Sequence, residues 1–320
     1  MLLFILASFF LGTSSTGTQT EHIGTIKADF YSSVLTSSSS TRIAVYDAGN
    51  KYISIYTHGL KKVAGFGKEG NGPGEFSSGV HRLLLTDTRV YVFTWKKVMV
   101  FSIDGKHITD TLLKTSRYSQ IVASNNTITV FNGVTPYVKD IKLTLNEDGK
   151  IISRIEAPKA FESEKRAMHL ISFNDHYIQT YYGSYYASVL NTSKKIQRNF
   201  SRFKATEAYF NFPKSWSKEQ YAMALQQAMK MTGGFKDDLK AIFPIDKHQF
   251  VIATETSSNK ELAFDIYNKA FEFINTKTLT FNHPVTEFRI ENGYVLVSLN
   301  SDEDGPYIEI YKLNQIKVSP

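Results

Sequence analysis

Cysteine is absent from all 320 residues, and that absence removes several chemistries at once. The chain has no disulfide, no thiolate nucleophile and no Cys-ligated metal. A bacterial lipid anchor, which needs a Cys after its leader, has no point of attachment. Histidine supplies no obvious substitute, since the 8 His residues are dispersed without a His-x-x-x-His or His-x-His pair that would suggest a metal. No Gly-x-Ser-x-Gly elbow occurs, and the run Tyr181–Tyr186 lacks the second Gly. No stretch of five or more basic residues appears either. The net charge of +7 therefore reads as a weak preference for anionic surfaces, not as a nucleic-acid footprint. Proline is scarce, with 8 residues, whereas Phe (23) and Tyr (18) are plentiful, a strand-rich composition.

The first residues are the one apolar run with its own meaning. Leu2–Gly12 is apolar and is followed by the small polar run Thr13–Thr20. This length suits the hydrophobic part of a signal peptide and falls short of the roughly 20 apolar residues a bilayer span needs. A leader over about residues 1–20 predicts a periplasmic or secreted protein with no transmembrane span in the mature chain. Sequons begin at Asn125, Asn191 and Asn199 and matter only in a host that glycosylates.

What is present is a repeat. Short alternating strands ending in an aromatic or Leu recur at Ile53–Tyr56, Val98–Phe101, Ile141–Leu145, Ala187–Leu190, Phe264–Tyr267 and Ile308–Tyr311. Their last residues are spaced 45, 44, 45, 77 and 44 apart. The 77 resolves into one repeat plus an insertion of about 33. A period of roughly 40–50 residues carrying about four strands is the signature of a β-propeller. The expectation is an all-β, six-bladed ring of four-stranded antiparallel blades over residues 21–320. His22–Phe30 is expected to add to the last blade or lie across its seam, although Gln315–Val318 also offers that blade a fourth strand. The insertion at 204–236, between blades four and five, breaks the strand pattern. There the capping-box spacing Ser217–Gln220, helix formers from Tyr221 to Met231 and the stop Gly233-Gly234 predict a helix over about 217–231. One-sense connections would put this helix on the same side of the ring as loop 67–76.

The stretch Phe66–Phe76, Phe-Gly-Lys-Glu-Gly-Asn-Gly-Pro-Gly-Glu-Phe, resembles the linker motif of NHL repeats. With the blade spacing, the whole chain is similar to the six-bladed, TolB-like propellers that bacteria export. Relatives of this architecture include protein- and RNA-binding modules, sugar-lactone hydrolases and a lyase of amidated peptides, so the fold does not supply the function. The lactonase-type enzymes hold a divalent metal in the channel through a Glu, Asn and Asp set from different blades. The carboxylates Asp87, Asp175, Asp246 and Glu287 lie near inner-strand ends, but no motif marks them as ligands, and Asp is common in turns for its own reasons.

The expected activity is non-enzymatic binding of a protein, peptide or glycan, with no cofactor and no nucleic acid. The alternative is a metal-dependent, lactonase-like hydrolase or a lyase working in the central channel. Inner strands begin just after the crossovers, so their first residues should ring the channel mouth: Arg82, Arg117, Tyr118, His169, Lys240 and Glu287, with Trp216 close if the helix folds over. That set would favour an anionic or hydrogen-bonding ligand.

Overall fold

The computed structural model describes residues 20–313 except 28–29, 32, 77–78, 95, 114–117, 125, 133–139, 157–166, 174–175, 182–185, 191–195, 202–216, 218–238, 245–247 and 256–258. Among the described residues every regular element is a strand, and no helix is long and apolar enough to cross a membrane. The helix expected near 217–231 lies outside the described residues apart from Ser217, which belongs to no regular element. Its side of the ring relative to loop 67–76 lies outside them too.

The strands form six four-stranded antiparallel sheets. The first runs β2–β5 (Val34–Ser38, Arg42–Asp47, Tyr52–Thr57, Lys62–Phe66) and the second β6–β9 (Val80–Leu85, Arg89–Thr94, Lys97–Ser102, His107–Leu112). The third is β10–β13 (Tyr118–Ser124, Thr127–Asn132, Asp140–Asn146, Ile151–Glu156), and the fourth β14–β17 (Ala167–Phe173, His176–Tyr181, Tyr186–Leu190, Ile196–Ser201). The fifth is β18–β21 (Leu239–Pro244, Gln249–Glu255, Glu261–Asn268, Phe273–Thr280). The last holds β22–β24 (Val285–Glu291, Tyr294–Ser301, Gly305–Leu313) and takes its fourth strand from β1 (Thr20–Lys27).

That last pairing bears out the expectation that the segment from His22 adds to the last blade. The edge of the final sheet is β1 at the N-terminal side of the chain, with Thr20 opposite Leu313 and Lys27 opposite Tyr307; residues 315–318 lie outside the described residues. The physical reason is edge protection. A ring whose first and last sheets are each complete in sequence is joined only by side chains, whereas a shared sheet adds backbone hydrogen bonds to the seam.

Burial explains why the sheets stand side by side. Middle strands are buried on both faces: Val90–Thr94 and Val98–Phe101 have no exposed residue. One apolar cluster joins the first and second sheets through Tyr46, Ile53, Phe76, Leu83 and Phe101. Others join the second to the third and the fifth to the last. At the seam, Ile26, Val34, Ile43, Leu296, Ile308 and Ile310 pack together. First strands face inward: β2 contacts both β6 and β22, and β14 contacts β10 and β18.

All six anchor residues fall near the ends of third strands, and each marks a register shift against its fourth strand. Tyr56 pairs with Lys62 while Ile55 pairs with Ala64, which leaves Val63 as the extra residue. A bulge here raises the local twist at the outer edge of each sheet.

The Gly-rich crossover is built as a structural plug. Phe76 is fully buried and meets Tyr46 and Phe101 edge-on, at centroid distances of 5.6 and 6.0 Å. Glu75 accepts the Gly72 N–H at 2.8 Å and pairs with Lys68 at 3.1 Å, folding the loop onto itself. Gly74 sits at φ +72°, with a would-be Cβ 2.9 Å from the His107 ring, a position where both backbone and space demand glycine.

Candidate functional site at the channel

Five of the six inner strands carry a bulge just after their start; only β2 pairs without one. The bulge falls between Val80 and Arg82, Tyr118 and Gln120, Ala167 and His169, Leu239 and Ala241, and Val285 and Glu287. Arg82, His169 and Glu287 thus occupy one equivalent position, the first residue after the bulge. Tyr118 opens β10, and Lys240 is itself the extra residue of β18. Arg117 and Trp216 lie outside the described residues. For Tyr118, His169 and Lys240 the backbone register alone is described.

Two of the predicted residues meet. The Arg82 guanidinium lies 3.7 Å from Glu287 Oε1, although their sheets are not neighbours: the sheet of β2 stands between them. The pair therefore spans the inner edge of the first sheet. Arg289 Nη2 donates to the same oxygen at 2.7 Å. Glu287, Arg289 and Glu291 alternate along β22, so they share a face, while Phe288 and Ile290 turn the other way into the core shared with the fifth sheet. Arg82 and Glu287 side chains are 26% and 24% exposed, close enough to solvent for a ligand to reach.

Toward the other end of β22, Glu291 forms a second polar link. Its Oε2 accepts the Ser37 hydroxyl at 2.6 Å and the Ser38 N–H at 2.8 Å. Ser37 Oγ in turn accepts the Leu85 N–H at 2.9 Å, so one relay crosses three sheets. Asn292 Nδ2 donates to the Ser38 carbonyl at 2.5 Å. Burial pushes the Glu291 carboxyl up to about 7, against the downward pull of Ser37, Ser38 and Arg82. Glu287 is also raised, first by burial and then by Glu291, with Arg82 opposing. His81 is held below its ordinary value by burial and then by Arg82.

The missed members are Arg289, Glu291, Ser37 and Ser38. The charged alternation Glu287-x-Arg289-x-Glu291 on an inner strand was a usable signal. Ser37 had none, because its partner lies 254 residues away.

Among the described residues no three His, Asp or Glu side chains cluster, and the Glu287 oxygen a cation would need is occupied by two guanidiniums. Asp87 ties its own turn to the β2–β3 turn of the first sheet, accepting from Ser40 at 2.7 and 2.8 Å and Thr41 at 3.2 Å, and these hydrogen bonds, Ser40 foremost, lower its pKa. Asp175 and Asp246 lie outside the described residues.

No protein-family model matches the chain, and no curated protein matches it in sequence. Solved structures do. A candidate exported protein from Bacteroides fragilis NCTC 9343 aligns with a TM-score of 0.55 at 13% identity, over 93% of this chain and 95% of that one. A member of the DUF4221 family from Bacteroides vulgatus ATCC 8482 gives 0.54 at 12%, over 93% and 99%. The Neurospora crassa Pan2 WD40 domain gives 0.50 at 8%, over 95% and 99%. The fold is a β-propeller. At such identities the likeness reaches the propeller architecture and stops there, so the blades and their channel must supply the functional argument.

Proposed function

We propose that the chain is a six-bladed propeller of the exported, TolB-like and NHL-like kind that binds a protein, peptide or glycan ligand at the mouth of its channel, without catalysis. The observation that carries this reading is the half-buried Arg82–Glu287 pair, backed by the buried Arg289 and held across the inner edge of the first blade. Two guanidiniums carry more N–H donors than one shared carboxylate oxygen can accept, and a ligand carboxylate or amide can take up the remainder. The six sheets support the blade count, and the apolar segment Leu2–Gly12 supports a periplasmic or secreted location.

The test joins a peptide and glycan array with metal analysis and a lactone-hydrolysis screen on the same preparation. Ligands captured by the wild type should lose roughly tenfold or more in affinity in Arg82→Gln, measured on variant protein whose circular dichroism still reports the wild-type strand content. A stoichiometric divalent metal with lactone turnover would instead establish the hydrolase reading.

A further inference from the structure

A second concave site lies away from the channel, on the flank of the first blade. It is a groove of about 510 Å³ lined by Phe30, Asn50, Tyr52, Ser54, Tyr56 and Lys62, within the size range of small-ligand sites. The geometry points to an acidic sugar, a hexuronate-type ring with one carboxylate, as its ligand.

The charge comes from Lys62. Its Nζ lies 5.1 Å from the centre of the Tyr52 ring, and among the described residues it has no carboxylate partner. The acid of the groove, Asp47, is spent. Its Oδ1 accepts the Gly49 and Asn50 N–H groups at 2.8 and 3.4 Å, and its Oδ2 accepts Asn50 Nδ2 at 2.7 Å and the Tyr31 N–H at 3.2 Å. Asp47 is also buried. The groove therefore presents one available positive charge and no available negative one. A lone ammonium is a point charge suited to a monoanion; a phosphate favours an Arg fork or a nest of N–H groups, and neither lines this groove.

The ring faces and hydroxyls decide the rest. Gly65 makes room for Tyr52, since a Cβ there would fall 2.5 Å from the tyrosine oxygen. Tyr52 can thus lie along the blade flank beside Phe30 as an apolar platform. Ser54 and Tyr56 also line the groove and bring hydroxyls, each a donor and an acceptor, to its wall. An aromatic acid laid over these hydroxyls would strip their water and return nothing. A sugar ring returns hydroxyls to them and an apolar C–H face to the aromatics.

Calorimetric and NMR titrations with D-glucuronate and D-galacturonate, beside D-glucose, benzoate and inorganic phosphate, test this assignment. The wild type should bind the uronates at least roughly tenfold more tightly than glucose or benzoate. Lys62→Met, which keeps the stem on an exposed edge strand, should erase that preference. Tyr52→Leu should weaken uronates and glucose together. Arg82→Gln should change neither, which separates this groove from the channel mouth. A preference that survives Lys62→Met, benzoate or phosphate binding as tightly as uronate, or no uronate binding up to about 10 mM would overturn the proposal.

Discussion

Single side chains do the local fixing, and Phe76 shows how much one can carry. It is the last residue of the Gly-rich crossover, yet it is fully buried between the first two blades, touching Tyr46 and Phe101. Phe76→Ala should cost about 3–5 kcal/mol, the range for a buried Phe whose cavity cannot collapse, read as a lower urea midpoint at unchanged slope. A loss below 1 kcal/mol, on the order of a surface substitution, would mean that the loop is decoration. The sequence announced the glycines loudly and this role hardly at all. Gly-Pro-Gly-Glu reads as a turn by its own chemistry, but what Phe76 covers depends on two strands it is not adjacent to.

Strands and their ends show the same division between local and distant information. The anchors Tyr56, Phe101, Leu145, Leu190, Tyr267 and Tyr311 were legible because alternation and turn residues are local signals, and the bulge they mark recurs in every blade. The inner-strand bulges carry no turn residue, and so the channel mouth could be placed from sequence only as a list of strand starts. Arg82 and Glu287 were on that list; their contact across an intervening blade was not readable, nor was the Glu291 relay. Glu291 also sets a pH dependence. Its folded pKa is raised to about 7, above the ordinary Glu value near 4.3, so the folded state holds the proton more tightly than the unfolded chain. Stability from this group is fully present below the unfolded value and is lost as pH rises through about 7. His81 and His58 run the other way, since burial lowers both and their charging favours unfolding at acid pH. Between about pH 4.3 and 7 the wild-type melting temperature should therefore carry a falling contribution from Glu291, set against the rising one from these histidines. Glu291→Gln keeps an oxygen for Ser37 and Ser38, so it should remove the falling contribution and leave the rising one in place. Parallel pH profiles in the two proteins would place the titration elsewhere.

At the scale of the whole ring, the question is what keeps the blades from opening. Three blade junctions are joined by the continuous apolar clusters described, each formed from strands close in sequence. The seam between the last blade and the first must be made by segments almost the full chain apart. It has three supports: the β1–β24 ladder, the Ile26–Ile308–Val34 cluster, and the Glu291 relay to β2. The ladder is the largest, because it satisfies the backbone of β24 as well as burying Ile26. It also carries the greatest loop-closure cost, which is why ring closure should be late in folding. Removing residues up to Lys27 would bare the β24 edge, which is an invitation to pair with another chain. The truncated protein should melt well below the full chain and associate, seen as dimers or larger species by size exclusion with light scattering. A synthetic peptide of Thr20–Lys27, added in excess, should restore the monomer by occupying the vacant edge, and Ile26→Asp in that peptide should abolish the rescue because the buried position cannot accept a charge. A truncated protein that stays monomeric with an unchanged melting temperature would show that side chains alone hold the seam.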